Sequence, residues 1–276
     1  MTNMENTLSL QSTGLDESWK DQFDREGFLH VRGLFSPEEV EEIKETYEEI
    51  HAKGVPGYYE PMSEEDAGND PLNRYPRVME SHRYNSTARR AMLHPGVREI
   101  LQSIFAADPL AAQCMYYFKP PGARGQAMHQ DNFYLMASPG TCVAAWTAID
   151  DVDAENGGMF VVPKTHDMDI VCPDKADESE SFTTHLVHIP RGLKAQLVPM
   201  KAGDTLFFNG SLIHGSGPNR SKDRFRRSFI SHYVSQATEK IFKMYNPLVT
   251  MDGEDLFVEE NNSGGPCGAL WNGALH

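Results

Sequence analysis

A chain of 276 residues with 39% hydrophobic and 24% charged residues has the composition of an ordinary folded protein and is long enough to bury one large core. Its formal net charge of −15 argues against nucleic acid as a partner, because affinity for a phosphate backbone comes from clustered Lys and Arg. No stretch approaches the ~20 apolar residues that cross a bilayer, and the opening MTNMENTLSLQSTGLDESW lacks the basic-then-apolar order of a secretory signal, so a cytoplasmic protein with no membrane partner is expected.

In chain order, DESWKDQFDREG predicts a short amphipathic helix stopped at Gly27, and FLHVRGLF predicts a strand. In SPEEVEEIKETYEEIHAKG, Ser36 can cap, Pro37 fits the first helical position and Glu39 completes a capping box; a longer helix with an acidic, solvated side follows. Residues 54–76, dense in Gly, Pro, Asn and Asp, predict a loop, and a helix is expected from about Ser86 to Phe105. From Ala111 the texture changes to short apolar runs between turn residues: QCMYYFKPPG, CVAAWTAIDDV, GGMFVVPKTH, KAQLVPMKAGDTLFFNG and FRRSFISHYV. Such a series predicts a β-sandwich or barrel, and with helices in front of it an α+β, mainly β, domain. The polar segment 166–196 is too long for a simple turn, as functional loops often are. Cys114, Cys142, Cys172 and Cys267 are widely spaced without a C-x-x-C pair and are expected to be reduced, mostly buried thiols.

The chemistry concentrates in two places. In MHQDNFYL, His129 and Asp131 stand two residues apart, so an extended backbone projects both from one face, as it would Phe133. Such a pair arises by chance in a chain with 11 His and 40 acidic residues and means little alone. The second place is GDTLFFNGSLIHGSGPNRSKDRFRRSFISHYV, where His214 lies just past a strand and Arg226 and Arg227 lie beyond a Gly/Pro/Asn-rich loop. Two His and one carboxylate on one side of a metal leave three positions open, as non-haem Fe(II) oxygenases require, whereas zinc more often takes a closed set richer in Cys or His. A co-substrate carrying a second carboxylate suits a planar guanidinium.

The order MHQD, AAWTAIDDVDAENGGMFVVPKTH, GDTLFF, HGSGPNRS and RRSFISHYV resembles the phytanoyl-CoA dioxygenase family of Fe(II)- and 2-oxoglutarate-dependent oxygenases, over roughly Gln113 to Val234. The resemblance implies a double-stranded β-helix, or jelly roll, with the N-terminal helices packed on it. The whole of 1–276 is then one oxygenase domain: a helix-rich part to about 110, a catalytic core over 111–236 and a C-terminal extension over 237–276. It also implies that His129, Asp131 and His214 bind Fe(II), that Trp146 and Ser216 line the 2-oxoglutarate site, and that Gln130 lies next to the metal. The family arginine matches Arg226, with Arg227 as the alternative because the spacing from His214 is one residue longer than usual.

The implied activity is hydroxylation of an unactivated carbon in a small metabolite, with 2-oxoglutarate and O2 as co-substrates and succinate and CO2 released. Desaturation, epimerisation and ring formation use the same residues and stay open, as does a secondary-metabolic setting, whereas halogenation would need Asp131 replaced by a small residue. A jelly roll that only binds a ligand is the competing reading, disfavoured by the retained ligand set. The substrate-shaping stretches 54–84, 132–138 and 166–196 match the family poorly. DNFYLMASPG has no basic residue and 166–196 only Lys175, Arg191 and Lys194 against six acidic ones, which with the net charge leads to the expectation of a neutral or cationic substrate, with basic residues from Arg77 to Arg90 as the group that could line the pocket instead. Oligomeric state is not legible.

Overall fold

The computed structural model describes residues 18–262 and Cys267. The N-terminal helices form where the capping chemistry places them. Helix α1 (Trp19–Glu26) starts at Ser18, whose hydroxyl accepts the Asp21 N–H, and stops at Gly27, which takes the left-handed conformation that glycine tolerates. After strand β1 (Phe28–Val31), helix α2 (Pro37–Lys53) carries both bonds of the expected capping box at Ser36 and Glu39. Helix α3 (Pro71–Arg74) and strand β2 (Val78–Met79) follow. The single helix expected over 86–105 is two, α4 (Ser86–Met92) and α5 (Pro95–Phe105). Pro95 cannot continue a helix from the preceding turn, so His94 becomes extended and caps the second one through Nδ1.

The β region comprises β3 (Pro109–Tyr117), β4 (Gln126–His129), the single-turn helix α6 (Asn132–Leu135), β5 (Val143–Ala148) and β6 (Met159–Val161). Next come β7 (Asp174–Lys175), β8 (His185–Leu186), β9 (Gln196–Val198), β10 (Thr205–Asn209), β11 (His214–Ser216) and β12 (Ser228–Ser235). Strands β13 (Lys240–Ile241), β14 (Leu248–Thr250), β15 (Asp255–Leu256) and β16 (Glu259–Glu260) end the described part. The larger sheet runs β1-β10-β5-β12-β3-β14-β15, with β2 added on β3; the smaller runs β4-β11-β6-β9. All pairings within both are antiparallel.

Strand periodicity explains how the larger sheet buries both faces. Trp146, Leu206, Phe208 and Ile230 pack with Met159, Val161 and Val198 of the smaller sheet, whereas Phe207 and Phe229 pack with Ile43, Tyr47 and Leu101 of the helical layer. The helical part and the C-terminal extension are not appendages, since β1 and β14 are strands of the larger sheet. Segment 166–196 lies along β4 through Val187 N to Met128 O at 2.7 Å and Phe182 N to Gly125 O at 3.0 Å. One expectation is corrected: Cys114 and Cys142 are buried free thiols, but Cys172 and Cys267 form a disulfide. Its partners lie 95 residues apart in sequence, a pairing that spacing alone does not announce.

Candidate metal centre

The antiparallel pairing of β4 and β11 sets His129 directly opposite His214, with ring centroids 4.2 Å apart. Each imidazole Nδ1 lies against the carbonyl two residues before it, Ala127 O at 2.8 Å and Leu212 O at 2.9 Å. A carbonyl only accepts, so Nδ1 bears the proton in both and both Nε2 lone pairs face inward. Burial, followed by the proximity of His214, pushes His129 below its ordinary pKa and holds it in the neutral form that ligates a metal. Asp131 is fully buried, and its Oδ1 lies 3.4 Å from each Nε2. The three donor atoms fall within 4.8 Å of one another.

How Asp131 arrives there differs from the strand argument. Strand β4 ends at His129, and Asp131 has helical φ and ψ at the start of α6. The carboxylate therefore reaches the imidazoles through a turn, and Phe133 packs in a core cluster with Tyr134 and Leu135. The Gln130 Nε2 donates to Ser211 O at 2.8 Å and to Asp169 O at 3.3 Å, and its Oε1 accepts from Val171 N at 2.9 Å. It ties segment 166–196 to the loop before β11, so the side chain that the resemblance places next to the metal spends its amide on backbone groups of those two segments.

Sequence reasoning missed His232. Its Nε2 lies 2.9 Å from Asp131 Oδ2, and its Nδ1 faces the Gln113 amide at 3.2 Å. A carboxylate can only accept, so the imidazole donates to Oδ2 and leaves Oδ1 toward His129 and His214, which presents Asp131 as a monodentate ligand. The legible signal was position: His232 stands six residues beyond Arg226 in the run that becomes β12, an even step in a strand. Gln126 was missed too; its Nε2 lies 3.0 Å from His129 Nε2.

A narrow cavity adjoins the ligands, walled by Trp146, Phe208, Met159, Ile230, Ser216 and Arg226. Arg226 precedes β12 and is buried; its Nε donates to Gly157 O at 3.1 Å and its Nη1 to Ser228 Oγ at 2.9 Å, with its Cζ 5.1 Å from the Trp146 ring centroid. Burial pushes its pKa down to about 10, so it stays charged near neutrality. Arg227 turns the other way, to Asp150 (Nη2 to Oδ1 at 2.7 Å) and Glu48 (Nη1 to Oε1 at 2.6 Å). The structure therefore brings His129, Asp131, His214, Trp146, Ser216 and Arg226 together and leaves Gln130 and Arg227 outside.

The family model for phytanoyl-CoA dioxygenase matches residues 23–228, three quarters of the chain. The chain belongs to the phytanoyl-CoA dioxygenase family. It is 28% identical over 227 residues to the peroxisomal phytanoyl-CoA dioxygenase of Rattus norvegicus, covering 77% of this chain but 66% of that protein. Among solved structures, it resembles the epimerase SnoN in complex with Fe3+, alpha ketoglutarate and nogalamycin RO at 24% identity and a TM-score of 0.63, over 80% of this chain and 84% of that one. The alpha ketoglutarate dependent carbocyclase SnoK, at 20% identity and a TM-score of 0.64 over 82% and 86%, shares the fold as well. No helix among the described residues is long and apolar enough to cross a membrane.

A second cavity shares Tyr117 and Phe182 with the first, and its wall includes Arg77, Arg124 and Lys119 beside Asp70. Arg124 pairs with Asp70, and Arg77 donates to the Tyr117 hydroxyl at 3.4 Å and lies against the Phe182 ring. This second cavity therefore has three basic side chains and one carboxylate in its wall.

Proposed function

We propose that this chain is an Fe(II)- and 2-oxoglutarate-dependent dioxygenase that hydroxylates an unactivated carbon of a small metabolite. The observation that carries the reading is the union, around one narrow cavity, of a ligand set with two inward Nε2 lone pairs and one carboxylate oxygen and a buried guanidinium whose hydrogen-bond partners are uncharged. The first half is the ligand arithmetic of a metal site with open positions, and the second is a receptor for a carboxylate in the same cavity. When bound, Fe(II) and 2-oxoglutarate supply the oxidising chemistry: O2 and the 2-oxo acid yield succinate and CO2 as one oxygen atom enters a C–H bond of the substrate.

The protein's part follows from its residues. His129, Asp131 and His214 would hold the metal, and His232, bonded to Asp131 Oδ2, would leave Oδ1 as the carboxylate's donor atom. Arg226 and the Ser216 hydroxyl receive the distal carboxylate, and Trp146 forms the flat wall against which the guanidinium lies. Phe208, Met159 and Ile230 keep water out, which strengthens each charge interaction inside. The jelly-roll frame keeps these groups in place without the metal, because the core on both faces of the larger sheet is independent of it.

The test is to reconstitute the purified chain with Fe(II) under argon, admit O2 and 2-oxoglutarate, and quantify succinate and CO2 with and without candidate metabolites. Slow uncoupled decarboxylation is expected without substrate, with faster turnover and a hydroxylated product when the right metabolite is present. Iron-loaded protein that consumes no 2-oxoglutarate would establish a binding module instead, and product analysis separates hydroxylation from desaturation, epimerisation or cyclisation.

A further inference from the structure

Lys119 follows β3 in the run QCMYYFKPPG, and only 3% of its surface is exposed. A buried ammonium is costly unless something compensates it. Here the Nζ donates to Ser216 Oγ at 2.9 Å, and among the described residues it has no carboxylate partner. Burial, and then the charge of the buried Arg226 guanidinium, lower the Lys119 pKa well below the ordinary range. Two basic groups buried in one region, with no acid paired to either among the described residues, form a site complementary to an anion, whose arrival favours the protonated amine.

The backbone is arranged for this. Lys119 has φ of +40°, in the left-handed region a side chain rarely adopts, and its carbonyl is held there by Arg226 N at 3.1 Å and Asn219 Nδ2 at 2.9 Å. Gly157 makes room for the stem: a Cβ there would come within 2.8 Å of Lys119 Cε, while the Gly157 carbonyl accepts from Arg226 Nε. One diglycine turn thus positions both cations. Ser216 Oγ accepts from Lys119 Nζ and from Gln126 N at 3.3 Å, so both its lone pairs are engaged. Its own proton is left to donate, and Ser216 lines the same cavity as Arg226.

We propose that Lys119 is a positioning residue for the distal carboxylate of the 2-oxo acid, acting through Ser216 by making that hydroxyl a donor and adding a second positive charge beside Arg226. The inference rests on the function proposed above. It makes the carboxylate receptor a two-armed one, with a direct guanidinium arm and an ammonium-backed hydroxyl arm. A purely structural Lys119, tying the turn after β3 to β11, would instead matter to stability and not to the choice of ligand.

The experiment is calorimetric titration of the full chain loaded with Mn(II) against 2-oxoglutarate and against 2-oxobutyrate, which keeps the 2-oxo acid head and lacks the distal carboxylate. Lys119→Met should weaken 2-oxoglutarate tenfold or more and leave 2-oxobutyrate within twofold, with no fall in the melting temperature of the ligand-free protein. Lys119→Gln, which keeps a donor to Ser216 without the charge, should fall between and serves if the Met variant does not fold. In steady state the loss should appear in KM for 2-oxoglutarate with kcat nearly unchanged. Equal weakening of both acids, or unchanged 2-oxoglutarate affinity with a lowered melting temperature, would overturn the inference and leave the proposed function standing. An unsubstituted protein that binds neither acid would remove the function and this inference together.

Discussion

Arg226→Met and Arg227→Met are adjacent substitutions with opposite expected consequences. Arg226 is buried in the ligand cavity with two uncharged partners, so in the ligand-free protein its removal exposes no counter-charge. A charge-assisted hydrogen bond contributes ~1.5–3 kcal/mol, and each ~1.4 kcal/mol is tenfold, so one lost bond to the co-substrate carboxylate raises its KM about 10- to 150-fold. Arg227 contacts Asp150 through its backbone N–H, Nε and Nη2, and both side chains are less than one quarter exposed. Removing it leaves the Asp150 carboxylate with one backbone donor of the three, a loss of about 1–3 kcal/mol in stability, which for a chain of this size lowers the melting temperature by several degrees. The assays are KM for 2-oxoglutarate at saturating substrate, or from uncoupled turnover, and thermal unfolding without ligand. A larger KM effect from Arg227→Met than from Arg226→Met, or a KM within twofold of the parent for Arg226→Met, would refute the assignment of the two guanidiniums.

His129→Ala, Asp131→Ala and His214→Ala should each abolish turnover and bound iron while circular dichroism stays that of the parent, since the core does not depend on the metal; full activity in any of them would break the ligand set. His232→Leu frees Asp131 Oδ2 from its donor and should weaken metal binding ~10- to 100-fold, read by competitive titration with a chromophoric chelator, while His232→Gln, which keeps an N–H donor, should recover part of it. Gly157→Ala places a Cβ 2.7 Å from Gly217 O at a backbone φ of +87°, so chemical denaturation should show a loss above ~1 kcal/mol together with weakened 2-oxoglutarate binding. A peptide map without reductant should contain a Cys172–Cys267 cross-linked pair and unlinked Cys114 and Cys142.

Local chemistry made much of the molecule legible in one dimension. Capping residues act within a few positions of themselves, so Ser36, Glu39 and Gly27 mark helix ends in the sequence as they do in space. The apolar runs after Ala111 announce strands because pleating repeats every two residues, and His129, Asp131, His214, Trp146, Ser216 and Arg226 were recognisable from the family order of short motifs. Pro95 stands at the middle of the run 86–105 that reads as one helix, and α4 and α5 separate there because a proline cannot continue the preceding turn.

Tertiary structure decided what depends on direction and distance. The turn at α6 carries Asp131 to the imidazoles and Gln130 to Ser211 O, which a pleat argument does not foresee because it presumes the strand continues. Arg226 and Arg227 differ by one position in sequence and part in space, since consecutive side chains leave the backbone on opposite sides, one to the cavity and one to Asp150. His232, Lys119 and the disulfide between Cys172 and Cys267 rest on partners dozens of residues away, and composition and periodicity carry no information about such pairs. The same holds for charge: the sum of −15 belongs to the chain, whereas the cluster of Lys119 and Arg226 belongs to the folded path that brings the end of β3, the diglycine turn and the start of β12 to one place.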